Sequence, residues 1–124
     1  MRVIIAGGRD FTDYPKLRDT CDKILSTVKV THILSGRNGT TVNGVAKSGA
    51  DAMGEQYASE RGYLVKLFPY PADKGKAGGP IRNGQMVAEA DALIAFDTGG
   101  PGTADVIKQA EGKGLKVRVV NCKL

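Results

Sequence analysis

Two glycine-rich turns and two arginines carry the chemistry open to this sequence. The turns are Gly7-Gly8-Arg9-Asp10-Phe11 and Asp97-Thr98-Gly99-Gly100-Pro101-Gly102-Thr103. Glycine lets a backbone turn tightly and approach a ligand, and the first N–H groups of a helix have no partner inside it. A glycine turn that opens into a helix therefore builds an anion site, and the Thr103 hydroxyl adds a further donor at its mouth. Arg9 and Arg82 bring planar forks that meet phosphate oxygens in pairs. Asp10, Asp51 and Asp97 are candidate acceptors for ribose hydroxyls, and Phe11 or Tyr70 offers a face for a base. The helix start at Gly49-Ala50 is a second source of backbone donors. Each acid also has an ordinary use as a cap or turn residue. Asp51 has it most plainly, because an acid is favoured in a first helical turn.

Several other chemistries are argued against. Gly7-Gly8-Arg9 is not the Gly-x-Gly-x-x-Gly dinucleotide fingerprint, and the second strand ends in Ser35 where an acid would hold the ribose of NAD. Gly75-Lys76-Ala77 lacks the Ser or Thr of a phosphate-binding P-loop. His32 is the sole histidine and falls in an apolar strand, so it reads as a packed residue. Without a partner histidine, Ser35 makes no hydrolytic triad. Cys21 and Cys122 have no metal-ligand or redox spacing, so no metal site is expected and both thiols should be reduced.

Strands and helices must hold these turns in place. Arg2–Ala6, Val30–Leu34, Tyr63–Phe68, Ala92–Phe96 and Lys116–Val120 read as short strands, the apolar runs among them suited to burial on both faces. Between them lie helical patterns. Thr12 or Asp13 caps one with Tyr14, Leu17, Cys21, Ile24, Leu25 and Val28 at three- and four-residue steps. A second opens at Gly49-Ala50-Asp51 and turns Met53, Tyr57 and Ala58 inward, a third runs from Ile81 to Ala90, and a fourth follows Gly102. This alternation predicts an α/β fold: a three-layer Rossmann-like sandwich around a five-stranded parallel sheet, in the order 3-2-1-4-5. In that order the first and fourth strands are neighbours, and the loops after them splay apart at the carboxyl edge. Those loops are the two glycine turns. Their coincidence with the switch point lifts a ligand site above the alternative of two turns that bind nothing.

Two connections are longer than such a fold needs, Arg37–Ser48 and Pro69–Pro80. The glycines and asparagines of the former leave room for a small β-hairpin at its centre. Both emerge at the edge where the crevice lies.

The 124 residues make one domain, with 41% hydrophobic and 25% charged residues, a balance ordinary for a soluble protein. No apolar run approaches a membrane span, and Met1 to Gly7 reads as a strand rather than a signal peptide, so a cytoplasmic protein is expected. A net charge of +5 favours anionic partners, whether nucleic acid, free nucleotides or phosphometabolites. Arg9, Arg37, Lys47, Lys74, Lys76 and Arg82 fall in the connections that follow the expected strands, whereas Lys16, Arg18, Lys23 and Lys108 belong to solvated helix faces.

Val3-Ile-Ile-Ala-Gly-Gly-Arg-Asp-Phe11, Ser35-Gly36, Gly49-Ala-Asp51, Ala77-Gly-Gly-Pro-Ile-Arg-Asn83, Met86, Ala90-Asp-Ala-Leu-Ile-Ala-Phe96 and Gly99-Gly-Pro-Gly-Thr-Ala104 occur in the order found in YspA-like proteins. The chain resembles these members of the SLOG superfamily along essentially its whole length. They are related to the Lonely Guy phosphoribohydrolases and to the DNA-processing protein DprA. The resemblance implies a Rossmann-like fold binding nucleotides or nucleotide-derived ligands, often NAD or ADP-ribose derivatives, and many members are found in phage and bacterial conflict systems. Through it Ser35, Gly36 and Asn83 join the expected ligand-binding set.

Two departures bear on activity. Lonely Guy enzymes carry Pro-Gly-Gly-x-Gly-Thr-x-x-Glu with a catalytic glutamate; here Thr98 replaces the proline and the glutamate position falls on Val106. Asp105 is adjacent, but one residue on a helix turns the side chain by about a quarter circle. Arg82 and Met86 keep the Arg-x-x-x-Met pattern, which implies binding without efficient cleavage. The second departure is the Arg37–Ser48 insertion, which reshapes the pocket or meets another subunit. The expectation is a sensor or sequestering protein for a phosphorylated nucleotide-like molecule, with no catalytic residue and no fixed cofactor assigned. One alternative is an N-glycosidase or phosphoribohydrolase using Asp105 or another acid. A DprA-like nucleic-acid binder ranks behind it, since few aromatics and no Trp leave little stacking surface. A homo-oligomer is expected, because small sandwich domains often pair through helices.

Overall fold

Two strands buried on both faces set the frame. In β1 (Arg2–Gly7) and β6 (Ala92–Asp97), Val3 to Ala6 and Leu93 to Phe96 are all buried. The two lie parallel and adjacent, in register from Val3 against Ala92 to Gly7 against Phe96. In this computed structural model, which describes residues 1–123, β2 (His32–Ser35) and β5 (Leu64–Leu67) extend the sheet on one side. On the other side lies β7 (Lys116–Asn121). The result is a five-stranded parallel sheet in the order β5-β2-β1-β6-β7.

Alternate residues of a strand face opposite sides, so the sheet builds a core on each face. Val3, Ile5, Ile33 and Ile94 meet Leu17 and Cys21 of α1 (Tyr14–Ile24) and Met53 and Tyr57 of α2 (Ala50–Arg61). Ile4, Ala6, Leu34 and Leu93 meet Met86 and Val87 of α3 (Gly78–Glu89) and Val106 and Ala110 of α4 (Pro101–Lys113). Each large side chain buried in this way contributes about 1.5–3 kcal/mol. Asp13 caps α1 by accepting the Lys16 N–H at 3.1 Å. Across the α1–α2 contact, Asp22 accepts the Tyr57 hydroxyl at 2.7 Å and the Arg61 fork at 2.9 and 2.6 Å.

The hairpin the sequence allowed for is present, and two other stretches differ from the sequence reading. The Arg37–Ser48 connection holds a hairpin of β3 (Thr40–Val42) and β4 (Val45–Ser48), separate from the main sheet. Its turn residues Asn43 and Gly44 have φ of 52° and 78°, the left-handed pair that tight hairpins use. Helix α3 starts at Gly78, three residues before Ile81, because Pro80 needs no N–H partner in a first turn and so does not break the helix. A 3₁₀ segment over Ala72–Ala77 takes up most of the preceding loop. Strand β5 is exposed along its whole length, Leu64 at 64%, as befits an uncovered edge.

Candidate functional site

At the carboxyl edge the ends of β1 and β6 come closer than side chains would permit. The Gly8 N–H donates to the Phe96 carbonyl at 3.2 Å, and a Cβ on Gly7 would stand 2.3 Å from that oxygen. A Cβ on Gly8 would stand 1.8 Å from Thr98 Oγ1. The Thr98 hydroxyl donates to Asp10 Oδ1 at 2.7 Å and ties one glycine turn to the other. Beside this tie opens a cavity of about 610 Å³. Gly7, Gly8, Arg9 and Asp10 of the first turn line it, together with Gly99, Gly100, Gly102 and Thr103 of the second. Asp51 from α2 and Arg82 and Asn83 from α3 complete its polar wall. Arg9 and Arg82 thus share one cavity.

Arg82 is the most constrained of these groups. It is 7% exposed, its Nη1 donates to the Gly36 carbonyl at 3.2 Å, and its guanidinium carbon lies 5.5 Å from the centre of the Tyr70 ring. Its Nε has no hydrogen-bond partner, and a buried donor left so costs about 1–3 kcal/mol. The start of α4 lines the same cavity. No side chain caps it at Gly100, Pro101 has no N–H, and the first backbone bond recorded there runs from Ala104 to Gly100 at 3.2 Å. The Gly102 and Thr103 amides precede that bond, at the positive end of the helix dipole. Asn83 holds this first turn against α3, donating to the Gly102 carbonyl at 3.3 Å and to Asp105 at 2.9 Å.

Asp51 is 3% exposed and accepts the Asn38 N–H at 3.2 Å. Burial pushes its carboxyl up to about 6; the Asn38 N–H and the Arg82 charge pull it down, while Glu55 pushes it further up. It is therefore half-ionised near pH 6 and mostly charged at pH 7, beside an arginine with an unused donor.

Other residues from the sequence reading have structural uses instead. Phe11 is 5% exposed and packs on Phe96 with ring centroids 5.3 Å apart, because the Phe11 N–H folds back to the Gly8 carbonyl and turns the ring into the core. It offers no stacking face in this cavity. Ser35 is fully buried, donating to Glu55 at 2.9 Å and accepting the Arg37 N–H at 3.0 Å. Gly36 lies behind Arg82 as its support; a Cβ there would stand 3.0 Å from both Arg82 Nε and Asp51 Oδ2. Asp97 accepts the Gly99 N–H at 2.8 Å and closes its own turn. The start of α2 is not a free anion site either: its Ala50 and Ala52 amides already donate to the Gly8 and Asn38 carbonyls. Asp105 is engaged by Asn83 and by Gln109. Val106, at the position of the Lonely Guy glutamate, lines the cavity as an apolar wall.

The sequence reading missed Asn38 and Gly79 as lining residues. Asn38 reaches the cavity only through the fold of the Arg37–Ser48 connection, with no local signal. Gly79 was signalled by Pro80, once a proline is allowed in a first helical turn. Among the described residues, no group of His, Cys, Asp and Glu is arranged to hold a metal ion, and no helix is long and apolar enough to cross a membrane. A family model described as YAcAr: YspA, cpYpsA-related SLOG family matches residues 1–75. No curated protein and no solved structure matches the chain.

Proposed function

From the premise that the chain belongs to the YspA, cpYpsA-related SLOG family, we propose that it binds a phosphorylated, nucleotide-derived small molecule as a sensor or sequestering protein. The ligand class is an adenosine phosphate, NAD or an ADP-ribose derivative. The observation that carries this reading is Arg82, buried and short of one hydrogen-bond partner, in the cavity that the uncapped start of α4 also lines. A phosphate in this cavity neutralises the arginine charge and meets the helix dipole. Asp10 and Asp51 are then placed to accept ribose hydroxyls, and the exposed Tyr70 ring is the aromatic face for a base.

The first test is to denature the purified protein and identify any released small molecule by mass spectrometry. The second is calorimetric titration with AMP and ADP-ribose of the wild type and of Arg82→Gln. A charge-assisted bond of about 1.5–3 kcal/mol predicts a loss of about tenfold or more in the variant. Equal affinity in the two proteins refutes the role given to Arg82, and no binding of any nucleotide refutes the function.

Cleavage of an N-glycosidic bond is the second reading, and a specific feature favours Asp51 over Asp105 for it. Asp51 is a cavity carboxyl with its proton affinity raised toward neutral pH, the property a general acid needs, while Asp105 is bonded to two amides. Release of free base or ribose phosphate on incubation with nucleotides would select this reading. Its loss in Asp51→Asn would assign the residue.

A further inference from the structure

Asparagine followed by glycine is a chemically labile pair. The glycine nitrogen, unhindered by a side chain, bonds to the asparagine side-chain amide carbon, and the C–NH2 bond breaks. The proton lost from the glycine nitrogen leaves with that NH2 as ammonia, and a cyclic succinimide remains. Water then opens the ring at either carbonyl, giving aspartate, or isoaspartate with the backbone rerouted through the side chain. The sequence holds three such pairs, Asn38-Gly39, Asn43-Gly44 and Asn83-Gly84. Ring closure needs an unengaged glycine N–H, rotation of the peptide between the two residues and space for the amide to swing. The fold supplies these unequally.

The asparagines of two pairs line the Arg82 cavity, and both pairs are held. Asn83 is 4% exposed within α3, and its side-chain amide donates to the Gly102 carbonyl at 3.3 Å and to Asp105 at 2.9 Å. The Gly84 N–H is inside the helix, where the ladder of i to i−4 bonds engages it. Asn38 is fixed through its backbone: its N–H donates to Asp51 at 3.2 Å and its carbonyl accepts the Ala52 N–H at 3.1 Å. Gly39 is wedged against the far end of the same connection, where a Cβ on it would stand 2.2 Å from the Ser48 carbonyl oxygen. Neither peptide turns without breaking these contacts.

Asn43-Gly44 is the exposed turn of the hairpin. Val42 and Val45 are partners across it, so the Gly44 N–H between them lies outside the ladder. A Cβ on Gly44 would meet nothing within 4 Å. Strand β3 is exposed along its length and pairs with β4 alone, and a two-stranded ribbon has little stability of its own. The hairpin is anchored beyond the turn, where the Ala46 N–H donates to Gln56 at 2.9 Å. The tip therefore opens, and its peptide rotates, without disturbing α2.

We propose that Asn43 is a site of spontaneous modification, deamidating through a succinimide to aspartate and isoaspartate, while the fold protects Asn38 and Asn83. Water is the sole co-reactant. Each event replaces a neutral amide with a carboxylate and lowers the net charge of +5 by one. Isoaspartate also adds a backbone carbon to a turn whose twist matches its strands only at the regular length. The hairpin tip ages in this way, and the cavity wall does not.

The test is to hold the folded protein at body temperature in mildly alkaline buffer and follow each asparagine peptide by mass spectrometry. Reaction proceeds through the locally open state, so Asn43 should convert about tenfold or more faster than Asn38 or Asn83. The same incubation in guanidinium chloride removes the fold. All three pairs should then react at similar rates, with Asn43, which follows the branched Val42, no faster than the others. An Asn43 no faster than the other two in the folded protein overturns the assignment, because the tip is then held as firmly as the cavity wall. A lead of the same size in guanidinium chloride overturns it too, because sequence neighbours and not the fold then set the order.

Discussion

Asp51→Asn is the perturbation that most directly probes the electrostatics of the cavity. The carboxyl is 3% exposed and its pKa is raised from an ordinary 3.8 to about 6, chiefly by burial. At about 1.36 kcal/mol per pH unit, that gap is worth about 3 kcal/mol. Because the folded value is the higher, the native state holds a proton that the unfolded chain has already released between these two pH values. Stability therefore falls as pH rises through that window, and above about 6 the wild type folds around an unfavourable buried charge. Asparagine keeps the shape and the acceptor for the Asn38 N–H but cannot ionise. Its NH2 group, like the O–H of the protonated acid, needs an acceptor of its own, a matter of about 1 kcal/mol. The variant should match the wild type near pH 4 and exceed it by about 2–3 kcal/mol near pH 7. Urea unfolding followed by circular dichroism at a series of pH values measures the difference, and titrations elsewhere in the chain cancel in it. Parallel pH profiles, or a wild type more stable near neutrality, would refute the argument and remove the basis for calling Asp51 a poised acid.

Other substitutions probe the scaffold. Gly8→Ala puts a methyl group where Thr98 Oγ1 stands and should cost about 1–3 kcal/mol with partial loss of nucleotide binding, read by thermal melting and titration; a neutral effect would mean that the turns do not meet as described. The Arg61 fork, with help from the Tyr57 hydroxyl, holds the Asp22 carboxyl down at about 2. A depressed carboxylate contributes above its unfolded pKa and ceases to as pH falls through the folded one, so the wild type's advantage over Arg61→Met should shrink on acidification from about pH 5 to about pH 2. An advantage that is constant with pH would show that Arg61 acts there through packing alone.

The parts of the fold legible in the sequence were those specified by neighbours along the chain. Val3–Ala6 and Leu93–Phe96 are apolar on both faces and read directly as buried parallel strands, and Leu17, Cys21, Met53 and Tyr57 lie on the inward stripes that periodicity gives them. Glycine turns after β1 and β6 were visible for the same local reason. What depends on contacts distant in sequence was not visible. An aromatic beside a glycine turn can swing either way, and only the Gly8 carbonyl, which takes the Phe11 N–H, decides that Phe11 faces inward. The Gly49-Ala50 amides looked free until the β1 turn and Asn38 were seen to claim the start of that helix. Glu55, twenty residues from Ser35 in the chain and outside every motif, is the side chain that accepts the buried Ser35 hydroxyl.

Asn38 has a wider consequence. Its N–H is the donor held against the Asp51 carboxylate, and its carbonyl receives the Ala52 amide, so the residue that enters the hairpin also finishes the first turn of the neighbouring helix. A chain that runs straight from Ser35-Gly36 to Gly49-Ala50-Asp51 has neither contact at its disposal. It leaves that acid with the Gly7 N–H and the Arg82 charge alone to hold it down. The hairpin connection is thus part of the chamber's foundations, and trimming it should disturb the acid's ionisation before it disturbs anything at the hairpin tip.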